Sequence, residues 1–242
     1  YGESGGQVGD IGNIVFEHNT FEVNDTTKLF GSFYLHHGKV KKGKFKIGDS
    51  VTATIDSYKR QLIKCNHSST HLLHASLRKI LGNHVSQKGS LVNSEKLRFD
   101  FSHNEPITSD NITKIENFVK KEITANSQIE IKTIDHQKAL DEGATALFGE
   151  KYGDEVRVVS MGTVEDNKIF SKELCGGTHV AQTGDILNFK IINQTSVASG
   201  IRRIEALTHI AVDEYNKQKI QLDNKTLKEN LDKISMLISE IK

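Results

Sequence analysis

Residues 66–82 read Asn-His-Ser-Ser-Thr-His-Leu-Leu-His-Ala-Ser-Leu-Arg-Lys-Ile-Leu-Gly. Within them Leu72, Leu73, Ala75, Leu77, Ile80 and Leu81 recur at helical rather than alternating spacing, which predicts a helix over 67–81. Asn66 is the expected N-cap and Gly82 the expected stop. Everything before this stretch reads as β. Residues 13–23, 29–37 and 45–56 are apolar, β-branched runs separated by turn chemistry at Asn24-Asp25, Lys42-Gly43 and Gly48-Asp49. Short strands at that spacing predict a small β-barrel. Residues 61–66 continue in the same manner, placing Cys65 on an apolar strand in the core. His74, beside Leu72 and Leu73, reads as a packed helix residue.

Downstream the pattern is mixed. Strands are expected at 90–93, 97–102, 129–135, 155–161, 168–171, 186–193 and 201–206, and a helix over 109–125 with Ile112, Ile115, Val119 and Ile123 on one face. Strands and helices without a βαβ rhythm predict an α+β fold. From Thr208 onward the chain reads as one long helix, with Ile220, Leu227, Leu231, Ile234, Ile238 and Ile241 forming an a/d seam. The expected organisation is a barrel module over 1–60, an α+β domain over 61–207 and a helix over 208–242.

Composition excludes several classes. No window approaches a membrane span, and the start lacks a secretory signal. Two cysteines, Cys65 and Cys175, cannot build a disulfide scaffold, which points to a reducing, cytoplasmic compartment. A formal net charge of +1 is too balanced for coating nucleic acid through bulk charge. An opening on Tyr1 inside a glycine-rich run, and a seam reaching Lys242 without a stop, read as the ends of a fragment.

Two pairs of residues have metal-ligand spacing. His67 and His71 stand at i and i+4 on one helix face. With eleven histidines in 242 residues, roughly half such a pair arises by chance, so it decides nothing alone. It also lacks the glutamate of a His-Glu-x-x-His metalloprotease helix. Cys175 and His179, separated by Gly176-Gly177-Thr178, form the rarer pair, and the glycines allow both ligands to face one point. Three imidazoles and a thiolate suit Zn²⁺ better than Mg²⁺ or Ca²⁺.

The runs GESGGQVGDIG (2–12), NHSSTHLL (66–73), SQKGSLVN (86–93), LRFDFSH (97–103), LCGGTHVAQTGD (174–185) and SGIRRIEA (199–206) together resemble the editing region of alanyl-tRNA synthetases, which is shared with free-standing AlaX deacylases. The threonyl-tRNA synthetase editing module has the same two ligand pairs, but normally with Arg-Gly-Pro where this chain has Gly-Gly-Thr. Gly5-Gly6-Gln7 is also the tripeptide of peptide release factors, yet the residues that follow match the synthetase run.

The resemblance implies a Zn²⁺-dependent hydrolase acting on the 3′ aminoacyl ester of mischarged tRNA(Ala), with Ser-tRNA(Ala) and Gly-tRNA(Ala) as substrates. His67, His71, Cys175 and His179 would be the metal ligands, and Gln87 and Thr70 the partners of the serine hydroxyl. Gly5, Gly6, Gln7, Arg202 and Arg203 would contact the acceptor end, with one of the two arginines facing the pocket. Lys39, Lys41, Lys42, Lys44 and Lys46 would guide the acceptor stem. Two mechanisms stay open: zinc lowers the pKa of an attacking water, or zinc orders the pocket and holds the amino group while another water attacks. Four available ligands favour the second. The long helix would lead towards self-association, and the ATP-dependent aminoacylation domain would precede Tyr1.

Overall fold

The computed structural model describes residues 1–146, 152–165 and 168–240, the last six of these by their backbone alone. Seam positions Ile238 and Ile241 therefore lie outside the described side chains.

The fold is mixed α and β with antiparallel sheets. Four strands open it: β1 (Gly12–Phe16), β2 (Asn19–Leu29), β3 (Phe33–Lys42) and β4 (Thr52–Ile55), in sheet order β3-β2-β1-β4. The expected barrel is not there. β3 and β4 stay at opposite edges, because the predicted strand over 45–56 yields only the four residues of β4. A four-residue strand is about 13 Å long, too short to pair with the ten-residue β3 along its length and close the sheet. The run over 13–23 is a hairpin rather than one strand. Its turn puts Glu17 at φ 52°, where sequence rules look for glycine or asparagine. The expected turn at Asn24-Asp25 is instead a bulge inside β2, where Asp25 Oδ1 accepts the Thr26 amide at 2.8 Å.

Helix α1 spans Ser57–Leu81, starting ten residues before the expected point. Asp56 caps it, its Oδ1 accepting the Lys59 amide at 2.9 Å, and Gly82 ends it as expected. Cys65 is thus helical, not on a strand, though it is fully buried and burial lifts its thiol pKa to about 11. Asn66 is mid-helix. Its side chain donates to Asn93 O (2.8 Å) and accepts from the Thr208 hydroxyl (2.7 Å).

A second sheet has the order β10-β11-β6-β5, from β5 (Gln87–Val92), β6 (Leu97–Ser102), β10 (Phe189–Ala198) and β11 (Ile201–Thr208). A third holds β7 (Glu130–Asp135), β8 (Glu155–Glu165) and β9 (Lys168–Leu174) in order β7-β8-β9. Helix α2 covers Ser109–Ala125, the predicted span, capped by Thr108. A short α3 (His136–Asp141) follows β7, and α4 runs over Ile210–Glu240. The expected strand from residue 186 begins later, since Thr183–Ile186 is a 3₁₀ turn. The core joins Leu72, Leu73 and Leu77 of α1 to Ile115 and Val119 of α2, and to Phe99, Phe101 and Ile204 of the second sheet.

The glycine-rich run is laced between the first two sheets. Glu3 N donates to Thr26 O of β2 (2.8 Å), while Val8 N donates to Val92 O of β5 (3.0 Å) and Val92 N to Gly6 O (2.7 Å). Asp10 is clasped by Arg60 of α1 through both carboxylate oxygens. Gly9 passes so close to β2 that a Cβ would sit 1.9 Å from Thr26 O. Gly9→Ala is expected to cost about 1–3 kcal/mol through this overlap. A urea midpoint unchanged from the parent chain would refute that reading.

Candidate metal centre

Helix α1 presents its i, i+4 pair towards the segment that leaves β9, and the two ligand pairs meet. The ligand atoms of His67, His71, Cys175 and His179 all lie within 4.8 Å of one another. Cys175 Sγ stands 3.4 Å from His67 Nε2 and 3.3 Å from His179 Nε2. All three imidazoles are buried, and the thiol is half-buried.

Each imidazole is held by its other nitrogen. His67 Nδ1 is 2.7 Å from Gln7 Oε1, His71 Nδ1 is 2.7 Å from Glu173 Oε2, and His179 Nδ1 is 3.3 Å from Ser68 Oγ. These contacts direct the Nε2 atoms of His67 and His179 to the shared centre beside Cys175 Sγ. His71 Nε2 is buried without a hydrogen-bond partner. A buried nitrogen left in that condition beside a thiolate fits a metal ion as its missing partner. His74 stays outside the quartet, its Nδ1 2.9 Å from Glu173 Oε1.

Electrostatics favours the ligand form of the sulfur. Burial alone would raise the Cys175 pKa, but the charges of His67 and His71 and hydrogen bonds from His179 and His67 bring it well below the usual thiol value. Burial and His67 press His179 down to about 3, leaving it neutral. For His71 burial opposes the charge, yet Glu173 and Cys175 outweigh it and raise the pKa to about 10. A metal there would displace a proton.

The centre opens into a cavity of about 290 Å³ lined by His67, Thr70, His71, Gln87, Ser90, Arg157, Glu173, Cys175, Gly176 and Gly177, with Ser4 and Gly5 of the glycine-rich run at its wall. Thr70 and Gln87 therefore share one cavity with three of the four residues of the quartet. Gln7 does not: it is fully buried, its amide engaged by His67 and Thr178. Arg202 donates to Asn104 O (3.0 Å) and Arg203 forms two bonds to Asp100 (2.7 and 2.8 Å), and neither lines the cavity. Gly6 is fixed by its carbonyl to β5. The five lysines around β3 are exposed.

Three supporting residues escape a reading of the sequence. Glu173 stands two positions before Cys175 on β9, and Ser68 lies between the two histidines of α1. Arg157 of β8 braces the turn between Cys175 and His179 through Cys175 O (2.7 Å) and Gly177 O (2.9 Å). Only the period-two spacing of Glu173 with Cys175 offers a signal.

The family described as "Threonyl and Alanyl tRNA synthetase second additional domain" matches residues 156–205, and "tRNA synthetases class II (A)" matches residues 1–59. An alanine–tRNA ligase of Saccharophagus degradans is 50% identical over 247 residues, covering 99% of this chain and 28% of that protein. Alanine–tRNA ligase 1 of Lachnoclostridium phytofermentans is 54% identical over 90% of this chain and 24% of its own length. The chain belongs with the alanyl-tRNA synthetases. It spans about a quarter of the length of these alanyl-tRNA synthetase relatives. A third, from Nitrosomonas europaea, is 50% identical over 91% of the chain. In this family context the Gly-Gly-Thr linker between Cys175 and His179 takes on a steric role. A Cβ on Gly177 would lie 2.0 Å from His67 Cε1, whereas one on Gly176 meets open space. Gly177→Ala is expected to weaken Zn²⁺ uptake about tenfold or more in chelator competition, and Gly176→Ala to leave it unchanged. Equal affinities would remove the steric role.

Proposed function

We propose that this segment hydrolyses the aminoacyl ester of mischarged tRNA(Ala), with seryl and glycyl esters as substrates. The observation that carries the proposal is the single cavity in which Thr70 and Gln87 face His67, His71 and Cys175. Its small volume suits an aminoacyl group rather than a large ligand. A synthetic site separates near-isosteres by only about 1–3 kcal/mol, so a second hydrolytic pocket supplies the missing discrimination. Serine is larger than alanine and glycine smaller, so size alone cannot be the criterion.

Zn²⁺ held by His67, His71, Cys175 and His179 would supply a Lewis-acid point charge that anchors and polarises substrate atoms. The protein groups do the sorting. Thr70 Oγ1 already donates to Asn66 O at 2.9 Å, so towards a serine hydroxyl it acts as an acceptor. The Gln87 amide offers both a donor and an acceptor. Arg157 holds the Cys175 and Gly177 carbonyls so that the turn keeps its shape when a substrate enters. Glu173 is engaged by His71 and His74 at once, which leaves it an orienting group rather than a base. That favours an ordered water as nucleophile, over a mechanism in which a ligand leaves to open the shell.

Substrate contact is proposed from two directions. Gly5 and Ser4 at the cavity wall would meet the terminal ribose, and Lys39, Lys41, Lys42, Lys44 and Lys46 the acceptor-stem phosphates. Arg203, bonded to Asp100 of the second sheet, and Arg202, bonded to Asn104 O in the loop after β6, are assigned to tRNA outside the pocket. We read 1–60 as the leading module, 61–207 as the Zn²⁺ editing domain and 208–242 as a helical extension. Along α4, Ile220, Leu227, Leu231 and Ile234 are exposed at seam positions, which favours self-association of this helix. Alanine attachment, the reaction named for the relatives, is proposed to belong to a region outside this chain. No described helix is long and apolar enough to cross a membrane; a cytoplasmic setting is part of the proposal.

Release of serine from Ser-tRNA(Ala) tests the assignment. Cys175→Ala and His67→Ala are expected to lose about 10²-fold or more, and Gln87→Ala to lose activity on the seryl ester more than on the glycyl ester. Background release from the parent chain and both metal-ligand variants alike would favour a noncatalytic tRNA-binding module. Replacing the five lysines by glutamine is expected to weaken tRNA binding and to reduce its salt slope by about 0.7–0.9 for each phosphate that is no longer neutralised. An unaltered slope retires their role.

A further inference from the structure

The glycine-rich run carries a side chain that reaches the metal centre from a different part of the fold. Gln7 is fully buried, though it lies only seven residues into the chain. Its Oε1 stands 2.7 Å from His67 Nδ1 and accepts the Thr178 amide at 2.9 Å, while its Nε2 donates to Thr178 Oγ1 at 2.9 Å. One amide thus touches both ligand pairs: a ligand of α1, and the turn between Cys175 and His179. A Cβ on Gly177 would come within 2.9 Å of the same oxygen, so the turn is kept bare where Gln7 enters.

We infer that Gln7 is a positioning residue for the metal: its carbonyl oxygen holds the His67 ring with Nδ1–H as donor and Nε2 as ligand, and clamps the two ligand pairs together. This rests on the Zn²⁺ reading above and adds a part to it. Glu173 does the same for His71 with a carboxylate, so a carboxylate at position 7 would also serve. Gln7 does not touch the cavity; it acts through His67.

The test is Zn²⁺ affinity of the full chain by chelator competition, with Co²⁺ absorption as a second readout. Gln7→Met keeps the length of the side chain and removes the acceptor; it is expected to lower affinity about 10–100-fold and to shift the Co²⁺ ligand-field bands. Gln7→Glu restores an acceptor and is expected to keep both the affinity and the bands of the parent. Parental affinity in Gln7→Met overturns the inference. So does an equal loss in Gln7→Glu, since an acceptor oxygen of the same shape would then not be enough to hold the ring. A parent chain that takes up no Zn²⁺ is a different result and overturns the metal reading itself.

Discussion

Ten consecutive residues of α1, from Cys65 to His74, are buried, and seven of those ten are polar or histidine. A helix buried all round is normally apolar all round. Each unpartnered polar group inside costs about 1–3 kcal/mol, so the fold has to deliver a partner to nearly every face of this helix. It does so from every direction: Asn66 is met by β11 and the turn after β5, Ser68 by the chain after His179, His71 and His74 by Glu173 of β9, and His67 by Gln7. The second and third sheets and the glycine-rich run are all fixed by this requirement. They leave Ser69 Oγ, His71 Nε2 and His74 Nε2 unmatched, and of these His71 belongs to the quartet around the thiol.

That helix also explains what can and cannot be read from the sequence. Residues 67–81 show a helical period because Leu72, Leu73, Leu77 and Leu81 meet an apolar core. Residues 57–66 show none, since only Ile63, Cys65 and Asn66 among them are buried, and asparagine is a type that hydropathy assigns to solvent. Cys65 consequently reads as strand. α2, whose apolar residues and cap obey ordinary rules, is legible to the residue. The first sheet is legible as β but not as topology. The tight turn at Glu17 has no glycine to announce it, and strand counts do not say whether edges meet.

The quartet itself is legible as two pairs of ligand types, and their convergence over a hundred residues depends on the resemblance rather than on spacing. The supporting groups are not legible. Glu173, Ser68 and Arg157 belong to common residue types in ordinary strands and helices, and only contact geometry gives them a role. Arginine pairs are a different case. Arg202 and Arg203 suggest phosphate, but Asp100 on the neighbouring strand β6 takes two donors of Arg203. A neighbour that pairs such a charge lowers what it can offer a ligand, and the sequence alone does not name that neighbour.

The same logic bears on the selectivity proposed for the cavity. Polar groups around the cavity are mostly committed: Glu173 to two imidazoles, Arg157 to two carbonyls, Thr70 to its own helix backbone. A committed group reorganises little when substrate enters, and preorganised polar groups cost less to use than mobile ones. Gln87 is placed differently, at the start of an edge strand where a register shift separates it from Gly89. The bulge turns its side chain out of the regular pleat and into the cavity. A pocket whose walls are fixed and whose one long amide sits on an irregular strand end can reward a small hydroxyl without enlarging, and it loses little when only hydrogen stands in its place.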